Sequence, residues 1–283
     1  MTLPRPRRAY PTDLTDAEWA LLAPLIPPVR PGGRPARHAR RELVNAIAYW
    51  VRAGCAWRLL PHDLPPWQTI YHYFRLWRRE GRWARILADP DRAARARAPP
   101  PGPRSHPERR DPGQPERQDH RSGGWHGYDG AKKVNGRKRH LLVDTLGLLL
   151  RVRVTAGDVG DRDGGAMLLH DARTRFPRLS HGWADGGYRG GFLTWANDVA
   201  GVTVRIVQRR DGGRRARWLP PGADPPELPR FAVAPRRWVV ERSFAWLGRY
   251  RRLSRDYEYL TGTSEAVIQV AMIQLLLRRL TRS

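Results

Sequence analysis

Between Arg92 and Ser122 the chain carries Pro99, Pro100, Pro101, Pro103, Pro107, Pro112 and Pro115 among arginines and glycines, with no alternation of apolar residues. Proline has no N–H to give to a sheet ladder, so this stretch cannot supply a central strand. It therefore splits the chain into three parts. A helical region spans 10–88, an irregular Pro/Arg-rich segment 89–124, and a region of alternating strands and helices 125–283.

Two features of composition narrow the function. The formal net charge of +25 arises from 52 Lys plus Arg against 27 Asp plus Glu, far beyond what solubility requires, and implies a polyanionic partner, most simply nucleic acid. GC-rich codon usage accounts for part of the arginine excess but not for its sign. Arginine also suits bidentate contacts to phosphates and guanine edges better than lysine does. Cys55 is the only cysteine, which excludes an internal disulfide and a cysteine-based metal cluster and fits a reducing cytoplasm. Neither end reads as a signal peptide or membrane span, because the basic residues 1–10 precede no apolar stretch. The apolar tail Ala266 to Leu277 is short and interrupted by Gln269 and Gln274.

In the helical region, Leu14-Thr15-Asp16-Ala17-Glu18-Trp19 has the form of a capping box with a hydrophobic staple, opening a helix to about Ile26. A second helix is predicted from Ala39 to Ala53, ending at Gly54, and a third from Pro66 to Glu80. The order is that of a helix-turn-helix with a long connection. In the third helix Tyr71, Phe74 and Trp77 recur at three-residue spacing, while Arg75, Arg78, Arg79 and Arg82 cluster toward its end. The aromatics can be core and the arginines a solvated face, or the arginine face can meet DNA.

After the proline-rich segment, Arg139 to Val143 and Leu148 to Thr155 read as a hairpin turned at Asp144-Thr145-Leu146-Gly147. A helix over 164–175, a strand leading to Asp185, a helix over 190–198 and a strand over 202–207 follow. Such alternation after a hairpin predicts an α/β fold with a mixed sheet.

Two acids stand out there. Asp185 ends a short apolar run and is followed by two glycines, a place where a strand can hold a carboxylate toward a ligand or simply end in a turn. Glu241 is the one acid in Arg236 to Arg255, a run rich in arginine and aromatic residues. Read at helical period, Trp238, Val240, Phe244, Leu247 and Tyr250 supply an apolar stripe there, with Arg242 and Arg249 two turns apart on another face. A lone carboxylate among arginines is otherwise a charge-balancing partner.

Trp-Ala-Asp-Gly-Gly-Tyr-Arg-Gly around Asp185 and Arg-Trp-Val-Val-Glu-Arg-Ser-Phe-Ala-Trp-Leu-Gly-Arg-Tyr-Arg-Arg-Leu around Glu241 resemble the second and third acidic motifs of insertion-sequence transposases. These enzymes carry an Asp-Asp-Glu triad on a ribonuclease-H-like fold. Residues 127–147 and 155–164 match as well, and residues 10–86, with Gly-Cys-Ala-Trp-Arg-Leu-Leu-Pro, resemble the small helical domain that precedes the catalytic region in the insertion-sequence-five type. The resemblance implies DNA cleavage and strand transfer at two Mg²⁺ ions held by carboxylates, with Asp185 and Glu241 as catalytic and metal-binding acids. It also implies contacts to double-stranded DNA, the element's terminal repeats and target, from Arg75, Arg78, Arg79, Arg237, Arg242 and Arg249, and at least a homodimer to bring two ends together. The family's pattern around the glutamate is met only in part, since its tyrosine falls on Ala234 and its later basic residue on Gly248, beside Arg249.

The first acid of the triad is absent in recognisable form. In the family it opens a run resembling Asp-Ser-Gln-Ser-Val-Lys at the end of an apolar strand upstream of the Gly127 segment. Synonymous codons for Gly113 to Arg121 can be written GGA CAG CCA GAG CGT CAA GAC CAC AGA. One base forward they read Asp-Ser-Gln-Ser-Val-Lys-Thr-Thr, and CGT GAT CCT for Arg110 to Pro112 then gives Val-Ile-Leu. Either two compensating frameshifts removed the strand and its acid, or Asp111 or Asp119 substitutes for it. Asp144, Asp158, Asp161 and Asp163 read as turn, loop and helix-cap residues, with Asp161 or Asp163 able to support the site, and His126, His140 and His181 as structural. Two other classes remain open: a non-catalytic DNA-binding protein or inactive remnant, and a ribonuclease-H-like nuclease of another purpose.

Overall fold

The computed structural model describes residues 7–28, 37–88, 124–130, 133–207 and 237–281. Helix α1 (Asp16–Leu22) begins with the expected capping box: Glu18 N–H donates to Thr15 Oγ1 at 3.2 Å and Thr15 N–H to Glu18 Oε2 at 2.9 Å. A 3₁₀ turn at Ala23–Leu25 replaces its expected last turn, because Pro24 cannot continue the α ladder. Helix α2 (Arg40–Ala53) stops at Gly54, whose φ of 71° is a left-handed cap. The connection to α3 (Trp67–Arg79) contains a 3₁₀ turn at Trp57–Leu59 and lays Trp57 on Trp50 at 3.8 Å between ring centroids. Gly81, at φ 66°, then breaks the chain, so Arg82 opens a separate helix α4 (Arg82–Leu87) and pairs with Glu80 at 3.1 Å rather than extending the arginine face of α3.

The five strands among the described residues fall in two sheets where one mixed sheet was expected. Strands β1 (Gly127–Asp129), β2 (Val134–Val143) and β3 (Leu149–Ala156) form an antiparallel sheet in the order β1-β2-β3, with Arg139 opposite Val154. The β2–β3 turn is built by Asp144, whose Oδ1 accepts from the N–H groups of Leu146 at 2.9 Å and Leu148 at 2.8 Å. Strands β4 (His181–Ala184) and β5 (Thr203–Ile206) form a separate parallel pair. The strand expected upstream of Gly127 lies outside the described residues. The helix expected over 164–175 starts earlier and breaks in two, as α5 (Asp161–Leu169) and α6 (Ala172–Arg175), where Asp171 takes φ 55°. Helix α7 (Gly191–Asp198) leads into β5.

The largest core forms around a helix that the sequence pattern does not announce. Helix α9 (Thr261–Thr281) buries Ala266, Val267, Ile268, Val270, Ala271, Met272, Ile273, Leu276 and Leu277, apolar residues spread around much of its circumference. It packs on β3 and on α1, α2 and α4, so the helical region and the antiparallel sheet share one core. Gln274 does not interrupt this helix; it is buried and donates to the Thr12 carbonyl at 3.2 Å. A smaller core of Leu169, Ala172, Phe192, Ala196 and Val202 supports the parallel pair. Among the described residues no helix is long and apolar enough to cross a membrane.

Two polar contacts set the orientation of the last elements. The side chain of Arg137 at the start of β2 is 1% exposed and forms an ion pair with Asp256 at 3.3 Å, and it donates to the carbonyls of Trp125 (2.8 Å), Glu258 (2.6 Å) and Tyr259 (2.7 Å). Helix α8 (Arg237–Leu247) is held on the β2–β3 turn by the buried Ser243 hydroxyl, which donates to Gly147 O at 2.7 Å and has Val239 O as an alternative acceptor at 3.0 Å. Its buried stripe is therefore Val239, Ser243, Leu247 and, just beyond the helix, Tyr250. The expected stripe is corrected on this point: Trp238 is 46% and Phe244 40% exposed. A small hydroxyl, rather than an aromatic ring, lets the turn approach.

Replacing Arg137 by Met should remove the buried ion pair with Asp256 and the three carbonyl contacts, and lower the unfolding free energy by about 3–5 kcal/mol in denaturant titrations. A loss below about 1 kcal/mol, the range of exposed pairs, would show that the clamp is not needed. Gly147 has φ 77°, and a Cβ there would stand 2.9 Å from Ser243 Oγ. Gly147→Ala should cost roughly 1–3 kcal/mol; an unchanged denaturation midpoint would mean that the turn does not seat α8.

Candidate functional site

Asp185 leaves β4 as the sequence pattern predicts and caps a 3₁₀ turn, Gly186–Tyr188, with Oδ1 accepting from Gly187 N–H at 3.0 Å. Its carboxylate is exposed. Asp161, in the first turn of α5, is brought beside it. A Cβ on Gly187 would meet Asp161 Oδ2 at 2.5 Å and Asp185 Oδ1 at 3.3 Å, so the two carboxylates converge beside this glycine. The cap of α5 is Gly160, so Asp161 and Asp163 act in its first turn, where negative charge complements the helix dipole, and not as the cap itself.

Lys138 of β2 neutralises part of this cluster. Its ammonium lies 3.5 Å from Asp161 Oδ1 and 3.7 Å from Asp129 Oδ2, and donates to Val159 O at 3.0 Å. Behind the turn, Tyr188 lies in hydrogen-bonding range of His140 Nδ1 at 3.2 Å, while His140 Nε2 meets Thr155 Oγ1 at 3.0 Å. Burial, and then the charges of Asp161 and Asp185, push the Tyr188 phenol far above its ordinary value, which keeps it a neutral hydroxyl. His140 is buried against Gly164, in keeping with a structural role. Tyr188 and Lys138 escape sequence reasoning, because their parts come from contacts across tens of residues.

Glu241 projects from α8 and is exposed. Its helix contacts β2 and α9, whereas Asp185 is carried by the β4–β5 pair over the smaller core. Helix α5 touches both β2 and the Asp185 turn, and so spans the two layers. Asp111 and Asp119 lie outside the described residues. Among the described residues no group of three or more His, Cys, Asp or Glu side chains could hold a metal ion. The convergent acids at Gly187 thus fall short of a complete donor set.

The predicted DNA contacts divide into two kinds. On α3, Ile70, Phe74 and Trp77 are core, while Arg75 and Arg79 point outward and Arg78 is half-buried near Gly262 of α9. Arg249 is exposed just past α8. Arg242 instead stacks between two indoles, with its guanidinium carbon 4.3 Å from the Trp238 ring centroid and 4.9 Å from that of Trp246, and donates to Leu146 O at 2.7 Å. Arg237 begins α8, and its side chain lies outside the described residues.

Comparison with known families accounts for both halves of this arrangement. The model of the IS4/5 transposase family matches residues 14–87, which hold α1 to α4, and the model of the transposase DDE domain matches residues 101–276, which hold Asp161, Asp185 and Glu241. No curated protein and no solved structure matches the chain. With more than half of its length matched by the second model, the chain belongs to the family of insertion-sequence transposases with a DDE domain.

Proposed function

We propose that this protein binds the ends of its own insertion sequence through the helical region and the arginines of α3, and that strand cleavage is impaired because the first acid of the triad has been lost. The observation that carries the reading is the proline-rich segment within the DDE match. There the family's strand and its aspartate are not recognisable in the sequence, and synonymous codons can be chosen that encode Val-Ile-Leu-Asp-Ser-Gln-Ser-Val-Lys one base forward.

The chemistry of the DDE family uses divalent metal, and the described residues alone do not supply its donor set. Asp185 and Glu241 are the two triad acids that remain, and Asp161 supports the Asp185 turn. The parallel with ribonuclease H, the choice of Mg²⁺ and the dimer belong to the same reading. The second reading, a DNA-binding remnant without chemistry, is favoured over an unrelated nuclease by the intact helical region and its outward arginines.

Sequencing the gene across the codons for residues 91–125 should reveal Val-Ile-Leu-Asp-Ser-Gln-Ser in the shifted frame. A gene in which no frame encodes it would sink the frameshift and leave Asp111 or Asp119 to be tested as the third acid. In gel-shift assays on a duplex carrying the terminal repeat, the chain should bind without cutting in Mg²⁺ buffer. The frame-restored chain should cut, and lose cutting in both Asp185→Ala and Glu241→Ala. Binding should weaken steeply with salt. Removing one phosphate-binding cation, in Arg75→Ala, Arg78→Ala or Arg79→Ala, should flatten the logarithmic salt slope by about 0.9. Cleavage by the present chain, or a slope that the triple variant leaves unchanged, would contradict the respective assignment.

A further inference from the structure

Helix α8 carries a second constellation beside Glu241. Trp238, Arg242 and Trp246 recur every four residues and lie along one stripe of the helix. Arg279 of α9 joins the row, with its guanidinium carbon 4.4 Å from the Trp246 centroid, so that Trp246 lies against both guanidinium groups and Trp238 against that of Arg242. Both arginines donate to one acceptor, the Leu146 carbonyl at the tip of the β2–β3 turn, at 2.7 Å and 3.3 Å.

This arrangement is costly for the protein by itself. A guanidinium has five N–H donors, and among the described residues these two share a single carbonyl oxygen. Among the described residues neither forms an ion pair; Asp144 is the acid whose charge reaches them, and its Oδ1 is already engaged by two backbone N–H groups. The Nε of Arg242 is buried with no acceptor. Burial and the neighbouring charge of Arg279 pull the Arg242 guanidinium below its ordinary value, and partial burial does the same to Arg279, whose side chain is otherwise exposed. Two like charges held together, partly desolvated and with donors unspent, are stabilised by an anion. The indole planes meanwhile fix both forks, so that little side-chain entropy is left to lose on binding.

We propose that Arg242 and Arg279 form a two-guanidinium clamp for one phosphate of a DNA strand, pre-oriented by Trp238 and Trp246. The clamp rests on the DNA-binding reading above and deepens it. It adds a residue of the C-terminal helix to the DNA surface and pairs it with Arg242, on the same helix α8 that carries Glu241.

The competing role is structural, a stack that only pins the turn to α8 and α9. Arg279 separates the two because it is exposed at the end of the row. With a terminal-repeat duplex as probe, Arg279→Ala should weaken binding about five- to tenfold and flatten the logarithmic salt slope by about 0.9. Arg279→Lys should keep the slope and recover only part of the affinity, since a point charge replaces a fork. Thermal unfolding in millimolar inorganic phosphate, compared with chloride at equal ionic strength, should show phosphate stabilising the parent chain and not Arg279→Ala. Affinity and slope unchanged in Arg279→Ala, or equal phosphate stabilisation of both proteins, would overturn the clamp. If the parent chain binds no duplex, the DNA-binding reading fails, and the phosphate comparison still decides whether the anion site exists.

Discussion

One buried guanidinium, that of Arg137, holds three distant stretches of the chain in register. It stands at the start of β2, donates to the Trp125 carbonyl on the approach to β1, and takes Asp256 with the Glu258 and Tyr259 carbonyls from the connection into α9. A buried charge is tolerated only when it is paired and its donors are used, and here they are. The entry of α9 is thereby fixed against the sheet. A second arginine passes the constraint on: Arg252 bridges to Glu258 at 2.7 Å, donates to the Cys55 carbonyl, and lies 4.4 Å from the centroid of Trp50 in the helical region.

That chain of contacts explains why the helical region is not a loosely appended module. Its apolar faces close on α9, and α9 in turn closes on β3, so a force at the arginine face of α3 is borne by the same core that supports α8 and Glu241. Asp185 hangs from a different and smaller core, linked to the first by α5. The two acids therefore depend on elements that pack separately, and their relative placement rests on the layer between them.

The arginine surplus also has more than one use. Arg137 and Arg252 are structural clamps, and Arg242 and Arg279 are stacked on indoles, whereas Arg75, Arg79 and Arg249 face outward. Composition shows that the surplus exists. It does not assign single arginines, because burial and stacking depend on partners more than a hundred residues away, such as Arg137 with Asp256.

Local chemistry is legible in the order of residues. The capping box at Thr15, the glycine stop at Gly54, the hairpin turned by Asp144 and the strand ending at Asp185 each follow from interactions within a few residues, which a linear pattern contains. The acidic motifs identify the family for the same reason. Periodicity finds Leu247 and Tyr250 but counts Trp238 and Phe244 as core, where the approach of Gly147 instead turns Val239 and the small Ser243 inward. The role of α9, the meeting of Asp161 with Asp185 at Gly187, and the sharing of one core by two regions were decided only by tertiary structure. Each depends on which faces meet across long separations, and periodicity along the chain carries no information about that.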